Sequence, residues 1–350
     1  MITIDDKKIT DIILDDKNVV KIQDTNTLKV LWEKTTPTPP ENEYFYIENA
    51  YDDINTLTLA TRKNGNPSES YASTVEYSKD KKNWTTLTLE GTNKITMNLG
   101  EKVYFRNDNG FFNCSNCYTF FYCSNNFNVG GKITTLLNYN DDNVPYSPYC
   151  FYNLFYGYDN NTNLKNSNNL VLPTSISKCC YYNMFRGCIG LISAPELPAT
   201  TLTWKCYSGM FRSCKSLTTP PELPATTLGQ YCYDEMFYSS GLTTAPELPA
   251  TSLVNACYAN MFSYCKSLIS SPILPAKTLA TNCYIQMFQG CSSLNKVTTY
   301  ADNITPQNWN NYIDRWLSGV SSTGTFYNYG SGTYPTGESG IPSGWTVITE

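Results

Sequence analysis

Four sets of side chains in this sequence have types and spacings that could do chemistry. The first is Cys114-x-x-Cys117, followed by Cys123 and Cys150, a thiolate pattern that could hold zinc. No second C-x-x-C follows and nothing else in the chain has ligand spacing, so buried thiols are expected and no metal site is assigned. The second set is a series of cysteines, Cys180, Cys206, Cys232, Cys257 and Cys283, with further ones such as Cys214 behind them. On one helix Cys206 and Cys214 would stand about 12 Å apart, beyond the ~7 Å Cα limit of a disulfide. Bridges between neighbouring repeats stay geometrically open, and a ladder of small buried thiols is the expected state. The third set is Glu196, Glu222 and Glu247, which recur in a P-E-L-P step. Stacked carboxylates raise one another's proton affinity and could share a cation. The simpler outcome is a solvated row partly neutralised by Lys215 and Lys266, and its repetition gives it a structural cause rather than that of a glycosidase pair. The fourth set is Trp204, Tyr231, Tyr238 and Tyr264, large aromatics at positions the repeat does not dictate. Exposed aromatics among uncharged polar neighbours suit sugar faces and protein hot spots; packing between adjacent repeats is the alternative.

Composition removes most other chemistry. The 350 residues include no histidine, which excludes Ser-His-Asp and Cys-His catalysis and His-ligated zinc. Lys and Arg number 25 against 30 Asp and Glu, a net charge of −5, so charge-driven nucleic-acid binding is not expected. Charged residues are 16% of the chain against a typical ~25%, which implies a surface of mostly uncharged polar groups. No phosphate loop, nucleophile elbow or kinase signature occurs, so neither an enzyme nor a cofactor is expected. No run approaches 18 apolar residues, so no membrane insertion is expected. The first residues, MITIDDKKITDIILDD, carry charge where a signal peptide needs an apolar core, so export by that route is not expected either. Reduced thiols follow from that.

What must position these groups is a repeat. Between about 179 and 299 the unit C-Y-x-x-M-F-x-x-C-x-x-L-x-x-x-P-x-L-P-A-x-T-L recurs, its leading cysteines stepping by 26, 26, 25 and 26 residues. The pairs Met184-Phe185, Met210-Phe211, Met236-Phe237, Met261-Phe262 and Met287-Phe288 keep the same step, as do the Leu-Pro pairs that begin at Leu197, Leu223, Leu248 and Leu274. Cys150-Phe151…Leu154-Phe155 is a diverged copy, and Cys117-Tyr118 has the look of another. Cys206, Met210 and Cys214 at i, i+4 and i+8, flanked by Tyr207 and Phe211, predict a helix with one apolar face. The proline-rich second half predicts an extended segment pairing with that of the next unit. Stacked units would share one core, an α/β solenoid. The 25-residue step deletes a residue near Ser239–Gly241, where an irregular turn is expected.

Around the repeats the chain reads as a series of modules. Residues 1–34 echo Ile4-Asp5-Asp6-Lys7-Lys8-Ile9 in Leu14-Asp15-Asp16-Lys17-Asn18-Val19, the pattern of a small β-meander, too short for a robust core and so a candidate docking unit. Residues 35–42 are a Pro-rich, semi-rigid linker. Residues 43–110 alternate as short strands, a β-sandwich of immunoglobulin-like type. Residues 111–149 would cap the start of the repeats at 150–299, and residues 300–350 would cap their end. There Thr305 to Gly319 reads as a helix with Thr305 as N-cap, Pro306 first and Trp309, Ile313 and Trp316 buried, followed by strands at Thr325–Tyr329 and Trp345–Ile348.

The steps Cys214-x-x-Leu217, Leu223-Pro224 and Met236-Phe237 resemble the leucine-rich repeats of the BspA-like class, with a longer unit and Met-Phe in place of Ala-Phe. That resemblance covers roughly residues 150–299 and implies a binding or adhesion surface without enzyme activity. The layout, with Lys21-Ile22-Gln23-Asp24-Thr25…Lys29-Val30-Leu31-Trp32 near the start and Ser339-Gly340-Ile341-Pro342-Ser343-Gly344-Trp345 near the end, resembles virion fibre or appendage proteins of crAss-like phages of gut Bacteroides-type bacteria. The resemblance implies a virion protein assembled in the host cytoplasm and attached to other virion proteins through residues 1–34. Its repeats would bind a host glycan or protein, and it leaves room for a homo-oligomer such as a trimer. A bacterial cell-surface adhesin with the same repeats is the alternative.

Overall fold

In the computed structural model the described residues are 44–63, 74–108, 112–114, 116–138, 147–157, 163–337 and 339–349, with the backbone of four strands inside residues 1–43. The linker expected at 35–42 lies outside them, as do residues 139–146 of the expected N-terminal cap. The chain divides into two compact units, Met1–Glu43 and Tyr44–Glu350.

The first unit is an antiparallel sheet in chain order: β1 Ile2–Ile4, β2 Lys7–Asp15, β3 Asn18–Asp24 and β4 Val30–Glu33. Ile4 pairs with Lys7 and Asp15 with Asn18, the meander order that the duplicated Asp-Asp-Lys pattern implies.

The second unit begins with β5 Phe45–Glu48, β6 Ile54–Lys63, β7 Thr74–Ser78, β8 Thr85–Thr88, β9 Thr92–Asn98 and β10 Lys102–Arg106. Period-two burial runs along β9 and β10, with Ile95, Met97, Val103 and Phe105 turned inward. Three more strands, β11 Cys117–Cys123, β12 Phe127–Lys132 and β13 Leu164–Val171, complete two sheets ordered β13-β12-β5-β10-β7-β8 and β11-β6-β9. Residue 110 is therefore no break in the pairing, since β11 pairs with β6 and β12 with β5. Cys117-Tyr118 opens a strand of this sheet and not a repeat. The sheets share a core in which Phe121 lies 5.5 Å from Phe45 and 5.1 Å from Phe105, ring centre to ring centre.

That core runs on into the repeats without a gap. Phe155 stands 6.2 Å from Phe121, and the Phe121 amide donates to the Leu154 carbonyl at 2.9 Å. From Phe155 a ladder of parallel rings continues through Phe185, Phe211, Phe237, Phe262 and Phe288, with centres 5.3 to 5.8 Å apart. A second ladder runs through Phe151, Tyr181, Tyr207, Tyr233, Tyr258 and Tyr284 at 5.6 to 6.0 Å. The expected core residues Cys180, Met184, Cys206, Met210, Cys232, Met236, Cys257, Met261, Cys283 and Met287 are all fully buried beside these rings.

The first half of each unit is not a helix. Its amides alternate between two kinds of acceptor. Cys180, Tyr182, Met184, Arg186 and Cys188 each donate to the carbonyl three residues back, whereas Cys179, Tyr181, Asn183, Phe185 and Gly187 donate to the next unit. Every other one of these four-residue turns carries a positive φ at its third position, as a type II turn requires. In the unit of Cys206 the left-handed residues are Lys205, Gly209 and Ser213, at φ of 52°, 62° and 63°. The backbone period is therefore four residues, with two side chains turned inward and two outward. A period of four and the 3.6 of an α-helix both place i, i+4 and i+8 on one face, which is why the apolar stripe reads as helical. The α half of the expected α/β unit is overturned, and the fold is β-rich. Among the described residues the helical elements are a 3₁₀ turn at Ile133–Leu136 and a single α turn at Asn310–Ile313.

Proline governs the second halves. In the P-x-L-P units the pairing shrinks to isolated parallel bridges, Asn166 to Ser193 and Thr201 to Thr227, because proline donates no hydrogen bond to a ladder. Where prolines thin out and then vanish, a parallel sheet forms from β14 Ser270–Leu274, β15 Lys296–Thr299, β16 Gly324–Asn328 and β17 Trp345–Thr349. The deletion near Gly241 is absorbed locally. Ser240 and Leu242 stay buried, and a Cβ on Gly241 would meet the Lys215 carbonyl oxygen at 2.0 Å.

The segment read as a capping helix is one more diverged unit. Beyond its α turn the Trp316 and Ser318 amides donate three residues back, while Gln286, Phe288 and Gly290 donate to Asp314, Trp316 and Ser318. Ile313 and Trp316 are buried and Trp309 only partly so, and Tyr334 stacks on Trp316 at 5.8 Å.

Candidate binding surface

Because the unit repeats, residues about 26 positions apart are neighbours, and the outward pairs form three rows across the turn ladder. The first row holds the residues just before each leading cysteine, and there Lys178 and Trp204 come together, with the Lys178 ammonium 4.4 Å from the Trp204 ring centre. Beside them the Lys205 ammonium lies 5.0 Å from Trp204, 5.2 Å from Tyr231 and 5.9 Å from Tyr182. In the third row the Arg212 guanidinium sits 4.1 Å over Tyr238, and Tyr238 meets Tyr264 at 5.4 Å.

The middle row joins the other two. Asp234 feels both Lys205 and Arg212, accepts a hydrogen bond from Asn260 and sits next to Glu235, which is ion-paired with Arg212. Burial, with the neighbouring Glu235 charge, raises the Asp234 carboxyl to about 7 against the opposing pull of Asn260, Lys205 and Arg212. All four aromatics singled out in the sequence thus lie along one strip. Trp204, Tyr231 and Tyr238 are half-buried and Tyr264 is exposed. Tyr231 and Tyr264 also occupy left-handed positions, at φ of 57° and 61°. Asn or Gly suits such positions best, and a bulky residue there costs on the order of 1 kcal/mol.

Lys178, Tyr182, Lys205, Arg212, Asp234 and Glu235 are the members that reading along the chain passes over. Reading in columns spaced by one unit would have found the three cations, since Lys178 and Trp204, Lys205 and Tyr231, and Arg212 and Tyr238 are each one repeat apart.

The other sets behave differently. Glu196, Glu222 and Glu247 are exposed and rim two shallow grooves of about 440 and 590 Å³, floored by Leu197, Pro198, Pro221, Leu223 and Pro224. Lys215 does not neutralise them: its ammonium bonds the Ser239 hydroxyl at 2.6 Å. Among the described residues no ion pair joins the glutamate row to Lys215 or Lys266. Cys114 and Cys117 are buried, with the Cys114 amide donating to the Cys117 carbonyl at 2.8 Å. No three metal-ligating side chains converge among the described residues. In the repeats the second cysteine has a defined task. The Cys188, Cys214, Cys265 and Cys291 thiols donate to the carbonyls of Phe155, Phe185, Phe237 and Phe262 at 2.9 to 3.2 Å. No protein-family model, curated protein or solved structure matches the chain.

Proposed function

We propose that this chain is a virion structural protein of a phage, a fibre or appendage of tail or head, that binds a host-surface glycan or protein. In this reading the stacked repeats are a leucine-rich-repeat solenoid of BspA-like kind, the two-sheet module is an immunoglobulin-like spacer, and residues 1–34 dock to other virion proteins. The observation that carries the binding role is the strip through Lys178, Trp204, Lys205, Tyr231, Asp234, Arg212, Tyr238 and Tyr264. It gathers aromatics and cations at positions that the core does not need, and it holds two tyrosines against their backbone preference. Strain of this kind gathers at functional sites, and Trp, Tyr and Arg dominate binding hot spots.

The test separates binding from folding. Trp204→Ala combined with Tyr231→Gly removes two rings while relieving one left-handed tyrosine. The double variant is expected to keep or slightly raise the melting temperature and to bind host cells at least tenfold more weakly in a pull-down with labelled full chain. Undiminished binding would remove the strip from the receptor site. Mass spectrometry of purified particles tests the virion assignment, and finding the chain in the bacterial envelope instead would favour the adhesin.

A further inference from the structure

The Sγ atoms of Cys150 and Cys180 approach to 2.9 Å, and both side chains are fully buried. This is closer than two sulfur atoms pack without bonding. It also differs from five other thiols of the repeats, which turn toward oxygen: Cys188, Cys214, Cys265 and Cys291 toward phenylalanine carbonyls, and Cys232 toward the Cys257 carbonyl at 3.9 Å. The two residues are lateral neighbours in adjacent units, held in register by the Tyr149 amide on the Lys178 carbonyl and the Phe151 amide on the Cys180 carbonyl, at 3.1 and 3.0 Å. Backbones joined by such lateral hydrogen bonds lie ~4.8 Å apart, inside the range of Cα separations that a disulfide accepts.

We propose that Cys150 and Cys180 are a cross-link site, forming a disulfide that ties the diverged first unit to the regular repeats. The place is mechanically apt. The first unit is where the stack meets the sheets, through Phe121 and Phe155, and the chain between the two cysteines carries β13 out and back. The step is an oxidation by a peroxide-class oxidant. Both S–H bonds and the O–O bond of hydrogen peroxide break, one S–S bond forms, and the two protons and two electrons leave the thiols to give two molecules of water. Burial holds the Cys180 thiol protonated, so closure of the folded chain is slow, and the finished bridge is shielded from reductants in the same way.

The peptides themselves give the readout. In the full chain, trypsin releases residues 133–165 with Cys150 and residues 179–186 with Cys179 and Cys180. After prolonged peroxide treatment, alkylation in denaturant and digestion without reductant, the two peptides are expected as one linked species, in wild type and in Cys179→Ser alike. The melting temperature of the oxidised chain is expected to rise by roughly 5–10 °C. Dithiothreitol is expected to reverse the rise only when denaturant is present. Separately alkylated peptides after oxidation, with or without a cycle of unfolding and refolding in oxidant, would overturn the proposal. So would a link from Cys180 to Cys206, the next rung of the ladder, or loss of the link in Cys179→Ser.

Discussion

Two polar groups set the sharpest expectations at the scale of single residues. Asp234 sits in the middle of the strip with its carboxyl raised to about 7 from an ordinary 3.8. Below pH 4 the folded and unfolded chains both hold the proton and the group has no effect on stability. Between 4 and 7 the unfolded chain has released the proton while the folded chain keeps it, so stability falls as pH rises, and the full cost is reached above 7. Asp234→Asn is therefore expected to leave the unfolding free energy unchanged at pH 4 and to raise it at pH 8. After discounting for partial exposure the gain is on the order of 1–2 kcal/mol, read from urea unfolding at the two pH values. Tyr207 makes a second case. Among the described residues neither its hydroxyl nor that of Tyr258 meets a hydrogen-bond partner, although both side chains are about 1% exposed. An orphaned buried hydroxyl costs ~1–3 kcal/mol, and Phe151 shows that the same ladder accepts phenylalanine. Tyr207→Phe is expected to stabilise the chain by about 1 kcal/mol in guanidinium unfolding, and a loss of similar size would show that the hydroxyl is satisfied.

At the scale of elements the repeat behaves as rungs rather than as helices and strands. Each turn segment directs every second amide to the next rung, so its hydrogen bonds and its rings are completed by neighbours. Nearest-neighbour stability follows from this. Excision of residues 206–231, one unit of 26, brings Lys205 directly before Cys232 and preserves every column. That variant is expected to unfold cooperatively, with its melting temperature lowered by only a few degrees. Excision of 13 residues, which breaks the columns, is expected to abolish the sharp transition in circular dichroism. Much of this was legible in the sequence. The unit length, the inward residues Cys206, Tyr207, Met210, Phe211 and Cys214, the strands of the β-module and the interrupting prolines all follow from spacing. The turn conformation was not, because Ala256, Glu235 and Lys205 at left-handed positions carry no local signal, and the residues that do advertise it, Asn153, Asn183, Asn260, Asn282, Gly187, Gly209 and Gly290, are scattered among them. The four aromatics of the strip could be named from departures off the consensus. Their cationic partners needed a comparison of adjacent rungs.

On the scale of the whole molecule, one apolar core runs from the paired sheets through the ring ladders to Trp316, where Phe326 and Tyr334 close it. Every internal rung is covered on both sides, and the ends are covered by elements of different construction. The N-terminal sheet forms its own compact unit at Met1–Glu43. The pairs Ile2 with Ile9, Ile12 with Ile22 and Ile22 with Trp32 join β1 to β4 into one sheet. A four-stranded sheet of that size is marginal by itself in water, since small units bury too little surface to offset chain entropy, and the docking role proposed for it would supply a partner surface. Removal of residues 1–43 is thus expected to leave residues 44–350 soluble and with an unchanged melting temperature in calorimetry. On the proposed virion role, the same truncation is expected to abolish incorporation into particles, measured by complementing a phage that lacks the gene and probing purified virions for the chain. A truncated chain that still enters particles would move the docking role elsewhere. A fall of more than a few degrees in melting temperature would show that the small sheet supports the rest of the fold.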